Sequence, residues 1–139
     1  GPINDDYNIP AVLSMECGVP VALFPLSFNN YREISLEVWG KKGFLSCLQE
    51  GLSNTVYPIA DNCSLIGEKE INFNKSISLG SGASDAFYVM YDNLYEAIYN
   101  NKELLSPLDS ALKSELVVEK IISSALNNGA VNFINNGTN

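Results

Sequence analysis

The sequence predicts an α+β fold: an open, mainly antiparallel sheet with helices packed on one face. Three observations lead there. Apolar and polar residues alternate at period two through much of the first half. After Gly82 the apolar residues recur at spacings of three and four. Strand-like segments precede helical ones and do not alternate with them, which separates this pattern from a parallel α/β fold. The chain has 139 residues, of which 46% are hydrophobic and 17% charged. That composition lies in the globular range, and a chain of this length buries about two-thirds of its unfolded surface in one core. The expected organisation is one domain over residues 1–139.

Residues 11–17 and 19–25 are β-prone runs pinched apart by Gly18, which reads as a hairpin. Leu13, Met15 and Cys17 fall on one face, Ser14 and Glu16 on the other. Pro20 and Pro25 donate no ladder hydrogen bond and so suit an edge or a strand end. Ile34, Leu36 and Val38 then alternate with Ser35, Glu37 and Trp39. The turn Gly40-Lys41-Lys42-Gly43 leads into Phe44–Leu48 as a second hairpin. Weaker strands are expected near Asn54–Ile59 and Glu68–Phe73.

Phe87, Met90, Tyr91, Leu94 and Ile98 mark a first helix over 84–100. For the second helix, Ser106 is the expected N-cap, Pro107 the first helical residue and Asp109 the capping-box acid. Leu108, Ala111, Leu112, Val118, Ile122 and Ala125 form its apolar stripe, and Gly129 is the expected C′ residue. A short strand at Ala130–Ile134 and a frayed Asn135–Asn139 complete the chain. Two helices leave Trp39 and its neighbours incompletely hidden, so the open sheet face calls for a partner.

Composition removes several functions. Without histidine, no Ser-His-Asp or Cys-His relay and no histidine metal ligand exists within these residues. Eight basic against sixteen acidic side chains give a net charge of −8, which disfavours nucleic acid. No apolar run reaches membrane-spanning length, and Asp5-Asp6 stand where a signal peptide would be basic, so the expected location is cytoplasmic, with no membrane partner. Cys17, Cys47 and Cys63 are widely spaced and odd in number. They read as buried free thiols with no disulfide framework or metal site.

Four motifs invite a functional reading. Gly80-Ser81-Gly82-Ala83-Ser84-Asp85 sits between a strand and a helix, as a dinucleotide-binding turn would. However, Asp85 occupies the third glycine position and no parallel strand follows, so it reads as a connection. Glu68-Lys69-Glu70 reads as a solvated, charge-alternating edge. The aromatic series Phe87, Tyr88, Tyr91, Tyr95 and Tyr99 is spaced as core plus a partner-facing edge, with a sugar-stacking platform as the alternative. Arg32 is the single arginine. With Asn30 and Tyr31 at a sheet rim it forms the candidate substrate-binding group, since a guanidinium suits carboxylates, phosphates and sugar hydroxyls. The competing reading is a loop arginine making a surface salt bridge to Glu33 or a backbone contact.

In order, these segments resemble the C-terminal domain of Gfo/Idh/MocA oxidoreductases. Leu36, Val38, Gly40, Gly43 and Leu45 match that family's I-x-I-x-G-x-x-G-x-L hairpin, with Ile34 extending the alternation before it. Leu94, Ala97 and Ile98 match its first helix. Asp109, Ala111, Val117, Val118, Ser124 and Ala125 match its second, and the likeness covers roughly residues 9–134. The resemblance implies a parent enzyme using NAD or NADP on a sugar or cyclitol. The family's N-terminal Rossmann domain and its catalytic Asp and His are absent from this sequence, and Glu68-Lys69-Glu70 lacks the proline of the family's E-K-P lysine motif. It further implies that this chain binds no cofactor, holds no catalytic residue and is inactive alone. Its contribution would be to binding a sugar-like small molecule and to homo-oligomerisation through the open sheet face. The alternative is a freestanding ligand-binding or dimerisation module without catalysis.

Overall fold

The computed structural model describes residues 8–26 and 31–134. Its architecture is α+β with antiparallel sheets, as the sequence predicts. The strands are β1 (Ala11–Ser14), β2 (Pro20–Leu23), β3 (Leu36–Gly40), β4 (Gly43–Leu48), β5 (Ser53–Asp61), β6 (Lys69–Ile71) and β7 (Ile77–Leu79). Two helices follow, α1 (Ala86–Asn100) and α2 (Leu108–Leu126). The chain divides into two compact units, one spanning Tyr31–Tyr95 and the other formed by Gly1–Asn30 with Glu96–Asn139.

The Tyr31–Tyr95 unit holds a five-stranded sheet in the order β3-β4-β5-β6, with β7 also paired to β5. The two-residue turn Lys41-Lys42 closes the β3–β4 hairpin on Gly40 opposite Gly43. Gly43 is required there. A Cβ at this position would lie 2.5 Å from the Tyr57 carbonyl oxygen, a backbone atom that cannot swing aside. β6 and β7 behave as one interrupted strand along β5. Ile71 pairs with Ile59 and Ile77 with Val56, so the intervening Asn72–Ser76 loops out against Tyr57 and Pro58. The Asn72 amide donates to the Pro58 carbonyl at 2.8 Å and anchors this bulge.

The register assigns each side chain a face. Trp39, Phe44 and Tyr57 are successive cross-strand neighbours on one side. Trp39 and Phe44 stack with centroids 4.2 Å apart, and Phe44 and Tyr57 at 5.7 Å. Phe73, carried in by the bulge, meets Tyr57 at 5.1 Å and Phe44 edge-on at 6.4 Å. Phe44, 6% exposed, is the buried hydrophobic residue among the described ones. The opposite side is aliphatic: Val38, Leu45, Val56 and Ile77 form one cross-strand row, flanked by Leu36, Cys47 and Leu79.

In the second unit, β1 and β2 form the expected hairpin. Gly18 takes a φ of 81° and its amide donates to the Met15 carbonyl at 2.8 Å. Ser14 lies opposite Pro20 at the hairpin's turn end, where the missing donor is tolerated.

Several local expectations change. α2 begins at Leu108 with Pro107 as its N-cap, extended at ψ 162° and without a side-chain cap bond, so Ser106 is not the cap. The Pro107 carbonyl instead accepts from the Ser110 amide and hydroxyl. At the other end Asn128, at φ 57°, takes the left-handed C′ position. Gly129 follows it and sends its amide back to the Ser124 carbonyl at 2.8 Å. The face of α2 that is partly covered runs through Leu116, Val117 and Lys120–Ser124, which includes Ile122 of the expected stripe, while Leu108, Ala111, Leu112, Val118 and Ala125 are exposed. No residue of α1 or α2 is buried, and the stripe Phe87, Met90, Tyr91, Leu94 and Ile98 is exposed. Residues 130–134 form no strand; Asn132 instead donates its side-chain amide to the Lys120 carbonyl at 2.9 Å. The expected fraying of Asn135–Asn139 lies outside the described residues. The three cysteines are free, but Cys17 and Cys63 sit in turns and are exposed, and Cys47 is half-buried. The expectation of buried thiols therefore fails for the two turn positions, where no packed layer exists to hide them.

Beyond the end of α1, Asn101 adopts a φ of 52° and turns Lys102 back onto Glu96, with Nζ 2.6 Å from the carboxylate. The hydrogen bond from Lys102, with a second from Asn100, holds the Glu96 carboxyl below its ordinary value.

Two outcomes follow from this packing. Phe44→Ala removes the side chain that three aromatic rings enclose and should cost about 3–5 kcal/mol in denaturant unfolding; a loss within surface-substitution range would refute its central role. A depressed carboxyl favours the folded state above its unfolded value and loses that contribution as pH falls through the folded value. Lys102→Ala should therefore raise the Glu96 midpoint toward the ordinary range in an NMR titration, and an unmoved midpoint would contradict the pairing.

Candidate functional site

The segment leading into β3 carries the arginine singled out by the sequence. Tyr31 is exposed, and Asn30 lies outside the described residues. Arg32 Nε lies 2.6 Å from Glu50 Oε1, an ion pair with both side chains substantially exposed. The surface-salt-bridge reading thus finds a partner in Glu50 in place of Glu33. Glu33 instead accepts the Gln49 amide on Oε1 at 2.7 Å.

These contacts share one purpose. Gln49 and Glu50 both have left-handed backbone, φ 52° and 59°, in the tight turn from β4 to β5. Two consecutive non-glycine residues in that region are sterically costly. The turn is held by Glu33 on the Gln49 amide, by the Ile34 carbonyl on the Glu50 amide at 2.9 Å, and by Arg32 on the Glu50 carboxylate. The guanidinium thereby clamps a strained turn.

The same turn organises the glycine-rich connection. The Gly51 carbonyl accepts from Asn54 Nδ2 and from Ser81 Oγ, each at 2.7 Å. Ser81 Oγ in turn accepts the Ala83 amide at 3.1 Å, and Asp85 donates its amide to Gly82. Gly80-Ser81-Gly82 is thus a hydrogen-bonded junction between β7 and the short turn that opens α1, as its reading as a connection anticipates.

Lys69 pairs with Asp61 at 3.2 Å directly across the β5–β6 ladder, and Glu70 accepts from Asn62 Nδ2 at 2.7 Å. Glu68-Lys69-Glu70 is thus the exposed, charge-paired edge that its alternation suggests. Among the described residues no group of three or more His, Cys, Asp or Glu is placed to hold a metal ion. No described helix is long and apolar enough to cross a membrane.

What sequence reasoning undervalued is the aliphatic face. Leu36 (57% exposed), Val38 (47%), Ile77 (56%) and Leu79 (45%) are side chains of core type left facing solvent. Near the hairpin end this face dips into an open depression of about 330 Å³ lined by Val38, Gly40, Lys41, Lys42, Leu45 and Val56. The signal was present in the period-two pattern, but alternation alone does not say which face a second layer covers. Compared with known proteins, the chain matches no family model, no curated protein and no solved structure.

The clamp has a measurable consequence. In a double-mutant cycle, Arg32→Ala and Glu50→Ala should couple by less than about 1 kcal/mol, falling as salt rises, because both groups are exposed. A salt-independent coupling well above that range would place the pair in a shielded site.

Proposed function

We propose that the chain is a self-association module whose open sheet seats a second copy on its aliphatic face. This is the subunit-association part of what the resemblance to the oxidoreductase family implies. The carrying observation is the run Leu36, Val38, Ile77 and Leu79, exposed together on one side of a regular ladder. A sheet hydrophobic on one face needs a second layer, and stacked sheets meet about 10 Å apart through such side chains. A contiguous apolar patch of this kind marks an interaction surface. The sugar-binding part of the implied function would rest on Tyr31 and Arg32. Arg32 is already engaged by Glu50, so the geometry favours association over ligand capture.

Sedimentation of the chain should show a concentration-dependent dimer. Ile77→Lys, on the aliphatic face, should weaken association, whereas Ser78→Lys, on the opposite face, should not. A chain that stays monomeric, or one indifferent to Ile77→Lys, would overturn the proposal.

A further inference from the structure

The faces of the sheet are one surface; its edge is another. β3 is the outermost strand of the five and pairs only with β4 among the described residues. The turn at Lys41-Lys42 closes the hairpin on Gly40 opposite Gly43. In an antiparallel ladder this makes Gly40, Val38 and Leu36 the residues bonded to β4, and turns the N–H and C=O groups of Glu37 and Trp39 outward. Neither residue's backbone meets another described group on that side. All five residues of β3 are exposed, their register with β4 is unbroken, and the strand contains no lysine, proline or bulge, with Glu37 as its one charged side chain. Lysine, proline and bulges are among the devices by which edges are ordinarily protected from pairing.

We propose that β3 is a homotypic pairing edge. Two copies of the chain join Leu36–Gly40 antiparallel about a two-fold axis at Val38, so that their sheets continue as one. The inference goes beyond face-to-face association and shares with it only the identity of the partner.

Register and charge select this arrangement. With Val38 on the axis, Glu37 lies opposite the second copy's Trp39, and the outward groups of both residues are satisfied twice by symmetry. The new ladder runs from Leu36 opposite the second copy's Gly40 to Gly40 opposite its Leu36, and the turn residue Lys41 lies beyond it. An axis at Glu37 would set two carboxylates directly opposite each other. An axis at Trp39 would pair only the last part of the strand and set Leu36 against Lys42. The chosen register also keeps Leu36 and Val38 of both copies on one continuous aliphatic face.

The test uses the full chain. Glu37→Pro deletes an outward N–H while leaving every bond to β4, so it should keep the monomer's circular dichroism and abolish edge dimers in sedimentation. With the three native cysteines changed to serine, Val38→Cys should oxidise to a disulfide-linked dimer, because it meets itself on the axis; Leu36→Cys should not. A Glu37→Pro chain that dimerises as tightly as wild type, or Leu36→Cys cross-linking as readily as Val38→Cys, would overturn the edge. Ile77 lies three strands away from β3. Val38→Cys cross-linking that survives Ile77→Lys supports the edge by itself. Dimers lost with Ile77→Lys but indifferent to Glu37→Pro would overturn the edge and leave the face standing.

Discussion

The stack of Trp39, Phe44 and Tyr57 is the interaction on which the five-stranded sheet depends. Three aromatic residues fall in one cross-strand row only if β3, β4 and β5 hold the observed register, and a slip of one residue would send Phe44 to the opposite face. Offset and edge-on rings add to the area they bury. Two backbone features serve that row. Gly43 lets β4 approach Tyr57 more closely than any side chain would allow, and the Asn72–Ser76 bulge delivers Phe73 onto Phe44 and Tyr57. Register, close approach and bulge therefore form one constraint seen in three places.

A sheet so specified on one face is conspicuous for its other face. Phe44 is buried by rings on its own side, although Trp39 and Phe73 there are themselves exposed, and the aliphatic residues opposite remain half open to water. Burial of a leucine, valine or isoleucine is worth about 1.5–3 kcal/mol over leaving it exposed. Several such side chains in one ladder are a substantial unused driving force. The backbone groups of Glu37 and Trp39 at the β3 edge are unused in the same sense. The two surfaces differ in what they select: the face offers area, the edge offers direction and register.

The sequence was most readable where one residue type has one physical meaning. Gly18 and the Gly40–Gly43 turn marked their hairpins, and the alternation over 34–39 placed β3 within two residues. It was least readable where distant residues decide. β7 is three residues long and exists because β5 offers it an edge, and the strand expected near Glu68–Phe73 ends at Ile71, where the pairing with β5 makes Asn72–Ser76 a bulge. The charge pair of Arg32 was anticipated with its neighbour Glu33, yet the left-handed Glu50 brings its carboxylate there instead. On α2, Leu116, Val117 and Ile121 compete with the anticipated stripe. Periodicity cannot rank two overlapping apolar arcs without knowing what covers them.

Both sequence features that looked most like chemistry, the arginine and the glycine-rich connection, converge on the turn between β4 and β5. Arg32 and Glu33 restrain it from one side, and Asn54 and Ser81 close on its Gly51 carbonyl from the other. A left-handed pair at Gln49-Glu50 needs such support, because nothing in those side chains favours the conformation by itself. The turn fixes where β5 starts, and β5 carries β4, β6 and β7. These polar residues set the geometry of the central strand. What the strand arrangement leaves exposed is an aliphatic face and the outer edge of β3.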